Sequence, residues 1–87
     1  MNLDFRFDAG HGWGVVPVSS LADVNLLDKI SSYSYIDNDN AIAYLEEDCD
    51  LGIYIETLKK MFNIKIDFNF IDDGEYSPIR NLARYSY

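Results

Sequence analysis

Three groups of residues in this 87-residue chain are of types that do chemistry. The first is the only histidine, held between glycines in Gly10-His11-Gly12-Trp13. A turn histidine is accessible enough to act as a general base near neutral pH. Asp8 is the nearby acid that would orient it. No serine or cysteine nucleophile stands in a matching motif, and one histidine cannot build a histidine-rich metal centre. The structural reading of His11 therefore outweighs catalysis: the glycines make a turn, His11 caps a backbone group and Trp13 enters the core. The second is Cys49, at the entry to a helix, where a dipole would favour a thiolate. Its four neighbours Glu46, Glu47, Asp48 and Asp50 oppose that charge, so Cys49 reads as structural or half-exposed rather than reactive. The third is a set of acidic clusters: Asp37-Asn38-Asp39-Asn40, Glu46-Glu47-Asp48-Cys49-Asp50 and Asp72-Asp73-Gly74-Glu75. They carry the hard oxygen ligands a cation takes, but none has the glycine and distal glutamate of a twelve-residue calcium loop. The expectation is a chain with no catalytic residue, no metal site and no cofactor.

Charge narrows the remaining functions. Fifteen Asp and Glu face seven Lys and Arg, a formal net charge of −8. From Met1 to Leu58 there are eleven acids against two bases, while Lys59 to Tyr87 holds four acids and five bases. An acidic body with a near-neutral C-terminal third repels nucleic-acid phosphates and attracts basic protein surfaces. Direct nucleic-acid binding is thus disfavoured, because a phosphate-reading face needs clustered Lys and Arg. Hydrophobic residues make up 48% and aromatics 15%, too apolar for a disordered acidic tail. A single cysteine precludes an intrachain disulfide, and the N-terminus lacks the basic and apolar regions of a signal peptide. No apolar run approaches the ~20 residues of a membrane span. The expectation is a cytoplasmic protein of a bacterial host cell.

The elements that would position these residues are legible from periodicity. Leu3, Phe5 and Phe7 alternate with Asp4, Arg6 and Asp8 as a half-buried strand. Ala9 to Gly12 is a turn, with glycines free to take positive φ, and Trp13 to Val16 is a second strand ended by Pro17. A helix is expected over Leu21–Ile30, capped by Ser19 or Ser20. A polar, turn-rich run over Ser31–Asn40 leads to a third strand over Ala41–Glu46. Leu51, Tyr54, Ile55, Leu58, Met61 and Phe62 mark an amphipathic helix from about Leu51 to Phe62, with Lys59 and Lys60 suiting its C-terminal dipole. Ile64, Ile66, Phe68 and Phe70 alternate as a fourth strand. The tail reads as irregular, with Ser77-Pro78-Ile79-Arg80 either an exposed arm or a strap that closes the core. As a strap, Arg80 would pair with the acidic body. Residues 1–87 are expected to form a single α+β domain. Its architecture is a two-layer sandwich in ββαβαβ order, a mostly antiparallel four-stranded sheet with two helices.

Four stretches carry a resemblance: Phe7 to Trp13 leading to Val16-Pro17, Ile30 to Tyr35, Tyr44 to Asp50, and Ser77 to Arg80 with Tyr85. Together they resemble a group of small acidic proteins encoded by bacteriophages and plasmids. In size and charge alone the chain also resembles anti-CRISPR proteins, which share no single fold. The resemblance implies a genomic neighbourhood more than an activity; joined to the acidic charge, it gives the expectation of a non-enzymatic inhibitor from a mobile element whose carboxylates block a basic nucleic-acid-binding surface of a host defence complex. The residues expected to contact that partner are Tyr33, Tyr35, Asp37, Asp39, Glu46, Glu47, Asp48 and Asp50. They join carboxylates to aromatic anchors of the kind enriched in interfaces. The alternatives are a self-associating accessory subunit, a homodimer through its sheet edge or tail, or a small enzyme or metal site around His11.

Overall fold

Alternation of apolar and polar residues makes β1 (Asn2–Phe7), which pairs antiparallel with the apolar β2 (Gly12–Pro17), Phe7 opposite Gly12. The computed structural model describes residues 1–87. Its remaining elements, in chain order, are α1 (Val18–Asp23), β3 (Tyr35–Asp37), β4 (Ile42–Glu46), α2 (Asp50–Phe62), β5 (Asp67–Asp72), a 3-10 turn over Pro78–Asn81, and β6 (Ala83–Arg84). The fold is α+β, one six-stranded mixed sheet in the order β5-β1-β2-β4-β3-β6. No helix is long and apolar enough to cross a membrane.

Two expectations are corrected here. The sheet has six strands rather than four, and the element order is ββαββαββ rather than ββαβαβ. The extra strands are β3, drawn from the polar run before Asn38, and β6, drawn from the tail. The sheet also contains one parallel pair, β1 with β5. That pair follows from α2, which carries the chain back across the sheet so that β5 runs in the direction of β4; strands joined by a helical crossover run parallel.

The helices also shift. α1 covers Val18–Asp23 rather than Leu21–Ile30, because Asn25 takes a left-handed conformation (φ 60°) and ends it. Val24, Leu26 and Ile30 are still buried, delivered by turns rather than by a helix stripe. α2 spans almost the expected residues and ends at Asn63, whose left-handed backbone (φ 54°) lets its N–H bond back to the last turn. The last strand starts at Asp67; Ile64 and Ile66 belong to the crossover and pack against the core.

The main core lies between the helices and one face of the sheet, around Val16, Leu21, Ala43, Leu45 and Tyr54. Gly14 sits under α2: a Cβ there would lie 2.5 Å from Leu51 Cδ1. A Gly14→Ala variant should therefore cost about 1–3 kcal/mol through overpacking, read as a lower urea midpoint; an unchanged midpoint would show that α2 can lift without cost. Gly12 is needed for the same reason rather than for a turn, since a Cβ would meet the Phe5 ring at 2.3 Å and its φ is not positive.

The opposite face carries a second, smaller cluster of Trp13, Tyr35 and Ile79, with Tyr44 and Leu82 at its edge. The C-terminal segment closes it. Ser77-Pro78-Ile79-Arg80 is thus a strap, and Ile79 is the side chain it inserts.

Candidate functional site

The strap is fastened by Asp8. Its carboxylate accepts from Arg80 Nε at 2.6 Å and Nη2 at 2.8 Å, and from the Ser77 amide at 2.8 Å. The Gly10 and His11 amides complete the set, each at 3.0 Å from Oδ1. The Arg80 guanidinium outweighs the opposing effect of burial and, with these amides, holds the Asp8 carboxyl far below the usual carboxylate range. The clamp continues outward: Ser77 Oγ donates to Asp73 at 2.6 Å, and Arg6 grips both Asp73 oxygens. Asp8 therefore does not orient the His11 imidazole. It takes only the His11 backbone N–H, because Arg80, distant in sequence, occupies the carboxylate.

Fastening the strap leaves a cavity of about 450 Å³ at one end of the second face. The turn after β1 supplies His11, and β2 supplies Trp13. The loop into β3 brings Tyr33 and β3 itself Tyr35, while the end of β4 brings Glu46 and the turn after it Asp48 and Cys49. Arg80 and Arg84 come from the strap and β6. The chain's only His, Trp and Cys and two of its three arginines thus share one wall. All four stretches that carry the resemblance contribute to it.

Sheet register explains the arrangement. Trp13 faces Glu46 across β2 and β4, and Tyr35 faces Arg84 across β3 and β6. The Arg84 guanidinium lies over the Tyr35 ring at 4.9 Å, and Arg80 over Trp13 at 5.3 Å. Trp13 and Tyr35 meet edge to face at 6.0 Å. His11 Nδ1 stands 4.0 Å from Glu46 Oε1, so Glu46 is the carboxylate beside the imidazole. No three His, Cys, Asp or Glu side chains converge as a metal would need.

The eight residues expected to meet a partner divide into three places. Tyr33, Tyr35, Glu46 and Asp48 line the cavity, and Glu47 sits next to Asp48 on the exposed surface. Of the four cavity residues, Tyr35 and Glu46 are turned inward, whereas Tyr33 is 68% exposed. Asp37 and Asp39 lie at the far end of β4, about 14 Å from Glu46 by strand rise. Asp37 there accepts from the Asp39 and Asn40 amides and from the Asn40 side chain, which holds its carboxyl below the ordinary value. Asp50, the first residue of α2, is 1% exposed. It accepts from the Ser31 amide and hydroxyl and from the Ser34 hydroxyl, pinning the start of α2 to the loop before β3.

Sequence reasoning named His11, Cys49 and Arg80 separately and missed Trp13 and Arg84 as cavity residues. The available signal was the period of two in any strand, which sets Trp13 on the face opposite Gly14 and Val16. Comparison with protein families, with curated protein sequences and with solved structures returned no match.

Proposed function

We propose that the protein is a non-enzymatic binding protein that docks on a basic surface of a nucleic-acid-handling complex and occludes the groove nucleic acid would occupy. The observation that carries this reading is the rim of the cavity. Tyr33 stands exposed there with Asp48, next to Glu47, and neither carboxylate forms an ion pair within the protein. An exposed tyrosine beside free carboxylates offers an anchor and an electrostatic match to Lys and Arg. Ten of the fifteen acids are exposed, so the surrounding field steers basic partners toward the rim. In the setting implied by the resemblance, the complex belongs to host defence and the outcome is its inhibition.

Glu46 and Asp50 are buried, so reversing their charge would test folding rather than docking. The useful variant is Glu47→Lys with Asp48→Lys. Used as bait in a bacterial lysate, the native protein should retain a nucleic-acid-handling complex at low salt and release it at high salt. The double variant, folded with an unchanged Tm, should retain about tenfold less or weaker still. Equal capture by both proteins would refute docking through this rim.

One observation favours self-association as a second reading. β5 is a six-residue edge strand, and Phe70 on it is 66% exposed. Light scattering separates the two, since a strict monomer at high concentration leaves only the first.

A further inference from the structure

The cavity behind the rim holds unused hydrogen-bonding capacity of both signs. Arg80 is committed to Asp8, but Arg84 is not committed to any carboxylate: its Nη1 donates to the Ser32 carbonyl at 3.2 Å and its plane rests on Tyr35. Glu46 is half-used. Its Oε2 accepts from the Asp48 amide at 3.0 Å, while Oε1 has only His11 Nδ1 near it, at 4.0 Å, too far for a hydrogen bond. Trp13 is 1% exposed and its indole Nε1 has no acceptor within the protein. A buried donor left unpaired is rare and calls for an explanation. The Trp13 ring forms part of the cavity wall, while Nε1 itself is closed off from the surface.

The spare groups define what fits. Glu46 and Arg84 lie two residues along and two strands across the sheet, about 12 Å apart at Cα, so their side chains flank a space of small-molecule width. A phosphate dianion would meet one free guanidinium and two carboxylates, Glu46 and Asp48, and is disfavoured. A simple cation would leave Arg84 without an acceptor. A molecule carrying a carboxylate and an ammonium a few ångströms apart answers both Arg84 and Glu46. The volume lies within the ~300–1,000 Å³ of ordinary ligand sites.

We propose that this cavity binds a free α-amino acid. The carboxylate sits on Arg84, the ammonium on Glu46, and a flat or apolar side chain rests against Tyr33. The site shares Tyr33 with the docking rim, but its charged contacts, Glu46 and Arg84, are not residues that the rim reading requires, so the two readings fail separately.

The test is isothermal titration of the full-length protein with the twenty common α-amino acids, followed by the N-acetyl and carboxamide derivatives of any that bind. One or more amino acids should bind at a single site and raise Tm. Each derivative, having lost one charge, should bind about tenfold more weakly or worse. Glu46→Gln should weaken the free amino acid by a similar factor and erase its advantage over the N-acetyl form. Arg84→Gln, at an exposed position, should do the same for the carboxamide comparison, and so keeps the test open if Glu46→Gln fails to fold. Absence of binding by every amino acid, equal binding of free and N-acetylated forms, or preferential binding of inorganic phosphate or guanidinium would each overturn the proposal.

Discussion

An Asp50→Ala variant should lose about 3 kcal/mol of unfolding free energy, because three donors lose their only charged acceptor at once. The Ser31 amide, the Ser31 hydroxyl and the Ser34 hydroxyl all converge on that carboxylate. Ser34 Oγ in turn accepts from the Glu46 amide at 2.9 Å, so the loss reaches the end of β4. A domain of this size has a total stability on the order of 5–10 kcal/mol, and the change would be visible as a large fall in the urea midpoint. Asp50→Asn keeps one acceptor oxygen and should cost roughly half as much. Equal midpoints for the native protein and the alanine variant would mean that the loop before β3 is not held by this carboxylate.

The second large effect is acid sensitivity through the strap. The native Asp8 carboxyl is held far below its unfolded value of about 3.9, chiefly by Arg80. Below that unfolded value the unfolded chain binds a proton that the folded chain refuses, so stability falls as pH falls. Above about pH 4 the contribution is fully present; it is lost progressively as the solution is acidified toward the folded value. Asp37, lowered in the same direction by Asn40, adds a smaller slope of the same sign. Asp8→Asn should therefore lower Tm at neutral pH by on the order of 10 °C and make the remaining Tm less dependent on pH between roughly 4 and 2. Thermal unfolding followed by circular dichroism across that range checks both statements. An Asn variant with the native acid profile would show that other carboxylates govern the acid response.

The parts of the fold visible in the sequence were those whose pattern is local. α2 displays its apolar stripe over three turns, β1 alternates cleanly, and β2 is an apolar run bounded by glycine and Pro17, so each is legible within a residue or two. β3 and β6 are too short for any period to appear. They exist as strands only because β4 lies beside β3, and β3 beside β6. Ile64 and Ile66 alternate like a strand yet serve as half-buried plugs in the crossover, since a period of two is not unique to strands. The end of α1 turned on one left-handed asparagine, a choice that tertiary packing makes.

The site was legible in its ingredients and not in its assembly. His11, Cys49, Tyr33, Tyr35 and the Glu46–Asp50 run were all picked out. Which acids face water could not be read from their clustering, because the groups that draw Asp8 and Asp50 inward, Arg80 and the Ser31–Ser34 pair, are 72 and 16–19 residues away. The SPIR segment shows the same dependence. Its buried Ile79 and its paired Arg80 become a strap only when β2 presents Trp13 beneath them.

The central claim is that the exposed rim beside the cavity is the docking surface. It is tested most directly by backbone amide NMR of the labelled protein titrated with the salt-released partner from the capture experiment. The account predicts that shifted signals cluster at Tyr33, Glu47 and Asp48 and their neighbours, while the β5 edge around Phe70 stays unperturbed. A partner that shifts the β5 edge or the exposed end of α2 at Met61 and Phe62, and leaves the rim unmoved, would contradict it.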